Sequence, residues 1–392
     1  MRFAVVSGSF PPRPDGRARR AAALAGGYTT AGHEVLVLTA ECSGAPAEEC
    51  PGGYRVVRLP AVNAPGPCIG FTAVRASGRH RIFRALHEFR PDALHLHGQF
   101  FDLSVAAGSY ARRHGVPLLL TIHPRPPNPG FLPSAVLRLL DAMLVKSVLS
   151  RTEPRYVVSD KAGRDYCVRR YLADERAVEC FPAFDGGWFD FAPARNIRAE
   201  QALGDGPLIV SMGHVSRRRD LLPLVEALPA ILAAYPQTRV LVAGKVYHDA
   251  FARRAEELGV RRAVAVQGVV PRQDVPAYFA AADIVAHDLN GGCGTASLEA
   301  MLSGTPTIIS VPADNYPGVE LRNGVNALLV PPDDSGAVAA TVIGLLDDLA
   351  RAKRIAWRQR ELIRRDFTMA AVAAKHLRVL EKLVADNTVR RG

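Results

Sequence analysis

Residues 290–306 read NGGCGTASLEAMLSGTP and place one carboxylate, Glu299, in a helical stretch that follows a glycine-rich loop. Three of the four residues 291–294 are glycines, so the backbone of this loop can approach a ligand closely. The positive end of the following helix points toward the same space. The segment predicts a site for a polyol that carries phosphate, and an ordinary amphipathic helix after a flexible turn is the alternative.

Short apolar runs alternate with helical stretches on both sides of this segment, which predicts parallel sheets covered by helices. The first series has expected strands at 3–6, 34–38, 54–59, 93–96 and 117–122 and expected helices near 17–30, 79–89, 103–114, 135–149 and 162–172. The second has expected strands at 208–212, 239–243, 263–267, 284–287, 307–310 and 327–330, and expected helices near 221–234, 250–258, 275–282, 295–303, 335–365 and 369–385.

The length of 392 residues suits two domains of ordinary size. We expect an amino-terminal domain over 1–188, a linker over 189–206 and a carboxyl-terminal nucleotide-sugar-binding domain over 207–368. A last helix over 369–392 is expected to pack back on the first domain. The predicted fold class is α/β, with two facing, Rossmann-like, doubly wound domains and a cleft between them. Ligands of such sheets bind beyond the carboxyl ends of the strands.

Composition narrows the class of protein. Hydrophobic residues make up 48% and charged residues 22% of the chain, as in globular proteins. No apolar run approaches the length of a membrane span, the amino terminus does not resemble a signal peptide, and the six cysteines lack CxxC spacing, so we expect a cytoplasmic protein. The net charge of +11 favours anionic partners. Nucleic acid is not expected, because no stacking motif accompanies the charge.

Several kinds of site are absent from the sequence. The first strand is followed by SGSFPPRPDG rather than G-x-G-x-x-G, and neither a Walker motif nor HExxH occurs. No closely spaced pair of carboxylates indicates a glycosidase. His95 and His97 alternate along one strand and share a face, but hydrogen-bonded histidines are the commoner arrangement there, so we predict no metal site.

A second glycine turn opens the carboxyl-terminal series, where residues 209–228 read IVSMGHVSRRRDLLPLVEAL. A phosphate there would meet the Gly213 amide, a helix N-terminus and a guanidinium such as Arg219. A solvated basic loop is the alternative. Glu299 follows a strand of the same predicted sheet, at the same edge. A carboxylate for a ribose diol and a cation for a diphosphate together predict a nucleotide-sugar site.

These segments resemble the retaining glycosyltransferases of family four, which have the GT-B fold. The matching segments are SMGHVSRRRD, LEAMLSGTP, SFPP followed by Gly16, AGHEVLVLT, PDALHLHG, VPLLLTIH ending at His123, QGVVPRQDVPAYFAAAD and NGVNALLVPPDD. The resemblance covers nearly the whole chain. A natural-product biosynthetic type is expected within the family.

The resemblance implies roles for individual residues. Glu299 takes the place of the ribose-binding glutamate. Arg219 and His214 stand where the family has a lysine and an arginine beside the diphosphate, and His123 stands where a histidine faces the transferred sugar. The other expected donor-binding residues are Gly16, Gly213, Gly268, Val270, Asp288, Asn290, Gly291, Gly292, Cys293, Gly294 and Thr295.

The chain also departs from the family pattern. Gly291 stands where the first glutamate of the family's motif would read the sugar, and Asp288 or Asn290 could substitute from the same loop. His214 is a weaker and pH-dependent cation than an arginine. These departures predict altered donor-sugar selectivity.

The resemblance implies a metal-independent, retaining hexosyltransferase that uses a nucleotide diphosphate sugar, with UDP expected, and no cofactor. The expected acceptor is a hydroxyl of a small molecule, such as an aminocyclitol or another secondary metabolite, as in antibiotic biosynthesis. The first alternative is a peripheral-membrane enzyme for a lipid-linked or cell-envelope acceptor. In that case Arg13, Arg17, Arg19 and Arg20 would contact an anionic membrane surface.

Two further alternatives belong to other classes. A non-catalytic nucleotide-sugar-binding partner protein would fit the departures at Gly291 and His214. A nucleotide-sugar epimerase of the same fold would need no acceptor. Transfer assays and product analysis without acceptor distinguish these classes from a glycosyltransferase.

Overall fold

The computed structural model describes residues 1–13, 15–64, 71–74, 76–99, 102–122, 139, 142–143, 149–182 and 195–391. The chain forms two compact units. Unit 1 contains Met1–Asp185, Tyr316–Gly318 and Phe367–Gly392, and unit 2 contains Gly186–Asn315 and Val319–Asp366.

Unit 1 is built on an eight-stranded sheet. Its strands are β1 (Arg2–Ser7), β2 (Glu34–Ala40), β3 (Glu48–Glu49), β4 (Arg55–Leu59), β7 (Ala93–His97), β8 (Leu118–Thr121), β9 (Arg155–Val158) and β10 (Val178–Cys180). Two further strands, β5 (Ala61–Ala64) and β6 (Phe71–Val74), form a separate antiparallel pair. The sheet order is β10-β9-β8-β7-β1-β2-β4-β3, and among these described strands only β3 runs antiparallel to its neighbour. The helices that follow these strands are α1 (Gly16–Thr30), α2 (Ala76–Phe89), α3 (Asp102–His114) and α4 (Lys161–Tyr171).

Unit 2 has a six-stranded sheet in which all described neighbours are parallel. Its strands are β11 (Leu208–Met212), β12 (Arg239–Ala243), β13 (Val264–Gly268), β14 (Ile284–Ala286), β15 (Thr307–Ile309) and β16 (Leu328–Leu329), in the order β13-β12-β11-β14-β15-β16. Its helices are α5 (Ile197–Glu200), α6 (Leu222–Ala234), α7 (Ala250–Glu257), α8 (Val275–Ala281), α9 (Thr295–Ser303), α10 (Ser335–Asp347) and α11 (Leu349–Asp366). The prediction of two α/β domains with Rossmann-like parallel sheets is confirmed.

The strands at the centre of the sheet of unit 1 are apolar and buried. In unit 1, Leu36, Leu94 and Leu96 pack in one cluster with Ile82 and Tyr110 from the covering helices. Because these strands are covered on both faces, they read as continuous apolar runs rather than as alternating patterns.

The last helix, α12 (Met369–Arg391), belongs to unit 1. Val372 joins the apolar cluster that contains Leu24 of α1. The two helices approach so closely that a Cβ atom on Gly27 would lie 2.7 Å from the Cβ of Ala373. The absence of a side chain at Gly27 therefore permits this packing.

The single helix expected over 335–365 is two helices, α10 and α11. Asp348 leaves the helical conformation, with φ −131° and ψ 79°. Its carboxylate accepts a hydrogen bond from the Arg351 N–H at 2.8 Å, as the N-cap of a new helix does. The prediction of one helix is wrong because the capping geometry of an aspartate was not recognised in the sequence.

Part of the segment expected as a linker folds into unit 2. Ile197 in α5 and Leu203 are buried, at 1% and 6% exposure, and pack with Leu208 of β11. Arg198 donates to the carboxylate of Asp283 at 2.7 Å. The segment from 197 to 206 is therefore part of the unit, while residues 183–194 lie outside the described residues. The expected helix over 135–149 also lies almost entirely outside them.

Candidate functional site

The carboxyl ends of β11, β12, β13 and β14 lie along one edge of the sheet of unit 2, because these neighbouring strands are parallel. Gly213 directly follows β11, Gly268 ends β13, and residues 288–294 follow β14. Ligands of this fold class bind at such an edge. The structure therefore brings most of the predicted donor-binding residues to one edge of one unit.

Asp288 closes the glycine-rich loop. Its Oδ2 accepts hydrogen bonds from the Gly294 N–H and, at 2.6 Å, from the Ser297 hydroxyl. Its Oδ1 lies 3.6 Å from Nε of Arg219, and the carboxylate is only 2% exposed. The expectation that Asp288 reads the donor sugar does not fit this arrangement, because both oxygens face protein groups. Asp288 instead positions the loop and Arg219.

Gly294 allows Arg219 to reach the N-terminus of α9. A Cβ atom at Gly294 would lie 3.0 Å from Asp288 Oδ2 and 3.4 Å from a guanidinium nitrogen of Arg219. The first N–H groups of α9 have no carbonyl partner within the helix, and the helix dipole favours an anion there. Arg219 is half-exposed and adds a cationic fork that suits phosphate oxygens. The arrangement can bind a phosphate group.

Glu299 lies one helical turn after the exposed Thr295, in the same helix. It is 7% exposed. A carboxylate at this depth suits a ligand that brings its own hydroxyl donors, since a carboxylate accepts several hydrogen bonds. Its assignment to the ribose diol stays a prediction.

The remaining loop residues have mainly structural contacts. Asn290 donates to the Asp333 carboxylate at 2.6 Å. Gly291 has φ +89°, a conformation that glycine adopts without strain. Gly292 forms an isolated antiparallel β-bridge with Ser310, and the side chain of Cys293 is half-buried. The side chain of Asn290 is thus tied to a neighbouring loop, which does not favour it as the sugar reader.

Gly213 packs directly on a buried histidine. A Cβ atom at Gly213 would lie 2.4 Å from Nε2 of His287, and φ is +141°. Its N–H donates to the Ala243 carbonyl at 2.9 Å, so the expected contact of this amide with phosphate is not available here. The glycine is required for close packing rather than as a donor.

His287 itself was not predicted as part of the site. Its Nδ1 lies 2.9 Å from the Ser211 hydroxyl, and burial lowers its pKa. The charges of Arg219 and His214 lower the pKa further, and Asp288 opposes them. His287 therefore lies within electrostatic reach of all three. Its position directly after a buried strand is the signal that could have identified it.

The loops beside His287 hold other predicted residues. His214 is exposed, and its ring lies edge-on to Tyr247 with centroids 5.7 Å apart. Gly268 accepts the Gly244 N–H at 2.7 Å, and Val270 is half-buried. These contacts do not test the prediction that Gly268 and Val270 bind the donor.

Two predicted residues belong to unit 1. Gly16 begins α1 and is exposed, and a Cβ atom there would meet nothing within 4 Å. Asp15 caps this helix by accepting the Ala18 N–H at 2.9 Å. His123 lies outside the described residues, as does the proline-rich segment after it.

The arginines of α1 are not equally available to a membrane. Arg20 donates to the Phe181 carbonyl at 3.0 Å, and burial lowers its pKa to about 10. Arg17 lies 3.8 Å from the Asp15 carboxylate. The expected four-arginine contact surface therefore loses Arg20, which packs inside unit 1.

Two other features are absent from the described residues. No helix among them is both long and apolar enough to span a bilayer. In the same part of the chain, no three His, Cys, Asp or Glu side chains are grouped so that they could hold a metal ion.

Comparison with known proteins gives matches over most of the chain. The family model described as "Glycosyl transferase 4-like domain" matches residues 15–182, and the model "Glycosyl transferases group 1" matches residues 194–361. A glycogen synthase of Mycobacterium tuberculosis is 27% identical, over 95% of this chain and 92% of its own. In fold, the chain is similar to the HepE protein of Anabaena in complex with UDP, with a TM-score of 0.67, 18% identity, and coverage of 97% and 100%.

Two further relatives are named for inositol-containing compounds. A GDP-mannose-dependent alpha-(1-6)-phosphatidylinositol monomannoside mannosyltransferase of Mycolicibacterium smegmatis is 28% identical, over 89% of this chain and 90% of its own. A D-inositol 3-phosphate glycosyltransferase of Xylanimonas cellulosilytica is 29% identical, over 85% and 84%. The predicted family and enzyme class are confirmed: the chain is a nucleotide-sugar glycosyltransferase of family four, with a 4-like domain in its first half and a group 1 domain in its second.

Proposed function

We propose that this enzyme transfers a hexose or amino sugar from a UDP sugar to a hydroxyl of a small acceptor of the cyclitol class, with retention of anomeric configuration. The observation that carries the proposal is the meeting of Arg219, Gly294 and the N-terminus of α9 at the edge of unit 2. A diphosphate placed there meets a guanidinium and a positive helix end. Glu299, in the same helix, would accept hydrogen bonds from the ribose.

The chemistry needs stabilisation of charge on the leaving diphosphate. As the bond between the anomeric carbon and the phosphate oxygen breaks, negative charge develops on that oxygen. Preorganised donors and cations stabilise such charge without reorganising. We propose that the acceptor hydroxyl attacks from the same face and gives its proton to the leaving diphosphate. No side-chain nucleophile and no metal ion are then required.

The proposed acceptor class is supported by the relatives. One relative is named for D-inositol 3-phosphate, which is a small phosphorylated cyclitol. We therefore propose a free or phosphorylated cyclitol, including aminocyclitols of secondary metabolism, as acceptor. We also propose that the enzyme acts in antibiotic biosynthesis and that it is cytoplasmic.

A second candidate acceptor is lipid-linked. It is favoured by the relative whose name specifies a phosphatidylinositol monomannoside. Co-sedimentation with vesicles of phosphatidylcholine, with and without an anionic lipid, separates the two candidates. Strong, salt-sensitive binding to the anionic vesicles would favour the lipid-linked acceptor over the small one.

Nucleotide binding is the first test. Thermal melting of the full chain in the presence of UDP, GDP, ADP or TDP should show the largest stabilisation with UDP, because a ligand that binds only the folded state raises its stability. The variant Arg219→Ala should lose most of this shift, and Arg217→Ala, in the same loop, should keep it. A larger shift with GDP would replace UDP in the proposal, and no shift with any diphosphate would reject the site.

Transfer is the second test. The enzyme is incubated with sugar donors that carry the stabilising nucleotide diphosphate and with inositol, inositol phosphate or an aminocyclitol as acceptor. The anomeric configuration of the product is determined by NMR. We expect a product with the configuration of the donor. An inverted product would reject the retaining mechanism, and sugar loss to water alone across all acceptors would reject the acceptor class.

A further inference from the structure

Lys245 is a cation at the same edge of unit 2 that was not predicted to belong to the site. It follows β12, and β12 is the parallel neighbour of β11, which leads to Gly213 and His214. The ammonium of Lys245 lies 4.9 Å from the centre of the Tyr247 ring, and His214 meets the same ring edge-on at 5.7 Å. Lysine, tyrosine and histidine therefore form one exposed array.

The backbone holds this array in place. Val215 donates its N–H to the Lys245 carbonyl at 3.0 Å, and Tyr247 donates to the Val215 carbonyl at 2.9 Å. The two loops approach so closely that a Cβ atom on Gly244, at φ +148°, would lie 1.9 Å from the Gly213 carbonyl oxygen. Only glycine fits there, and Lys245 is the next residue. The loop after β12 is thus joined to the loop after β11 at defined positions.

Charge balance at this edge leaves room for a second permanent cation. Arg219 lies 3.6 Å from the buried carboxylate of Asp288, so the positive charge of the guanidinium is partly compensated. His214 is an imidazole and not a permanent cation. Among the described residues, Lys245 has no carboxylate partner. Its contact with the Tyr247 ring is a cation–π interaction, which leaves the ammonium protons available to a ligand.

We propose that Lys245, held by Tyr247, binds the leaving diphosphate and supplies charge that Arg219 alone does not. This inference rests on the proposed nucleotide-sugar site. As the bond from the anomeric carbon to the phosphate oxygen breaks, the electron pair goes to that oxygen, which Lys245 stabilises. The acceptor oxygen forms the new bond to the anomeric carbon, and its proton passes to the diphosphate.

The test compares nucleotides that differ by one phosphate. Affinities of Lys245→Ala for UDP and UMP are measured by calorimetry, with GDP and GMP in their place if GDP is the stabilising nucleotide. We expect the diphosphate affinity to fall about tenfold, because a hydrogen bond to a charged group is lost, and the monophosphate affinity to stay within about twofold. Lys353→Ala, at an exposed position of α11, is the control and should change neither affinity. Equal losses for both nucleotides, or no loss, would overturn the role of Lys245.

Two further variants test the array. Tyr247→Phe keeps the ring and should keep turnover, while Tyr247→Ala should lower turnover with little change in monophosphate binding. In the Lys245→Ala background, His214→Arg should restore part of the lost diphosphate affinity, because it returns a permanent cation to the edge. Absence of rescue, together with unchanged Tyr247→Ala turnover, would reject the array. If the wild-type protein binds no nucleotide at all, the proposed function fails. If it binds nucleotide and Lys245→Ala binds the diphosphate equally well, only the role of Lys245 fails.

Discussion

Nε of Arg219 lies 3.6 Å from Oδ1 of Asp288, although the two residues belong to different loops. The carboxylate is buried and also accepts hydrogen bonds from the Gly294 N–H and the Ser297 hydroxyl. One aspartate therefore orients both the cation and the helix N-terminus that we assign to the diphosphate. Asp288 and Arg219 both lie close to the backbone of Gly294, so a side chain at position 294 would collide with them.

Removal of the guanidinium should affect turnover more than nucleoside binding. We expect Arg219→Ala to lower kcat about 100-fold, the size of loss seen when one preorganised transition-state donor is removed. Affinity for a nucleoside monophosphate should hardly change. Steady-state kinetics and calorimetry measure the two effects, with Arg217→Ala as control. Wild-type kinetics in Arg219→Ala would contradict the assignment.

A methyl group at Gly294 should disturb the same site. In Gly294→Ala the new Cβ atom would lie 3.0 Å from Asp288 Oδ2, so the carboxylate or the loop must move. We expect diphosphate affinity to fall about tenfold, equivalent to the loss of about 1.4 kcal/mol. Gly344→Ala, in α10 and outside the site, is the control, because a Cβ atom there meets nothing within 4 Å. Similar losses in both variants would show that the effect is not specific to the loop at Gly294.

The ribose assignment of Glu299 predicts a specific ligand dependence. Glu299→Ala should weaken binding of the diphosphate about tenfold or more, because a charged acceptor for hydroxyl donors is lost. The loss should be much smaller for a nucleotide whose ribose hydroxyls are missing. Calorimetry with both ligands measures this coupling. Glu226→Ala, a surface carboxylate of α6 that pairs with Arg254, is the control. Equal losses for both ligands would move Glu299 away from the ribose.

Buried histidines of unit 1 predict sensitivity to acid. Burial lowers the pKa of His95 to about 3 and that of His376 well below its ordinary value, with Arg20 adding to both. Below about pH 6.5 the unfolded chain binds protons that the native histidines do not, so the free energy of unfolding falls as pH decreases. For each histidine the slope approaches about 1.4 kcal/mol per pH unit, until the native pKa is reached.

The variant His376→Phe tests this sensitivity. It removes one of the buried imidazoles, so the loss of stability between about pH 7 and about pH 5 should be smaller than in the wild type. Urea unfolding at the two pH values measures the difference. His80→Phe, at an exposed position, should leave the slope unchanged. An identical pH dependence in wild type and His376→Phe would show that this histidine does not titrate as expected.

The sequence alone determined the fold class and predicted the chemical nature of the candidate site. Apolar runs alternating with helical stretches predicted two parallel α/β domains, because strands buried on both faces must be apolar along their whole length. The helix predicted over 295–303 has the observed bounds of α9. Its glycine-rich entry and Glu299 were visible because helix signals are local.

The tertiary structure decided which polar groups remain available to a ligand. Asp288 and the Gly213 N–H were expected to face the donor, but Asp288 accepts a hydrogen bond from the Ser297 hydroxyl of α9, and the Gly213 N–H donates to the Ala243 carbonyl at the end of β12. Arg20 packs inside unit 1, and Lys245 lies beside His214 through the pairing of two loops. Most of these outcomes depend on contacts between residues far apart in the chain, since Gly213 bonds to Ala243, Arg20 to Phe181 and Val215 to Lys245. A local sequence pattern cannot specify such contacts, because they form only when distant segments meet in the folded protein, as the register of β11 and β12 sets the contact of Gly213.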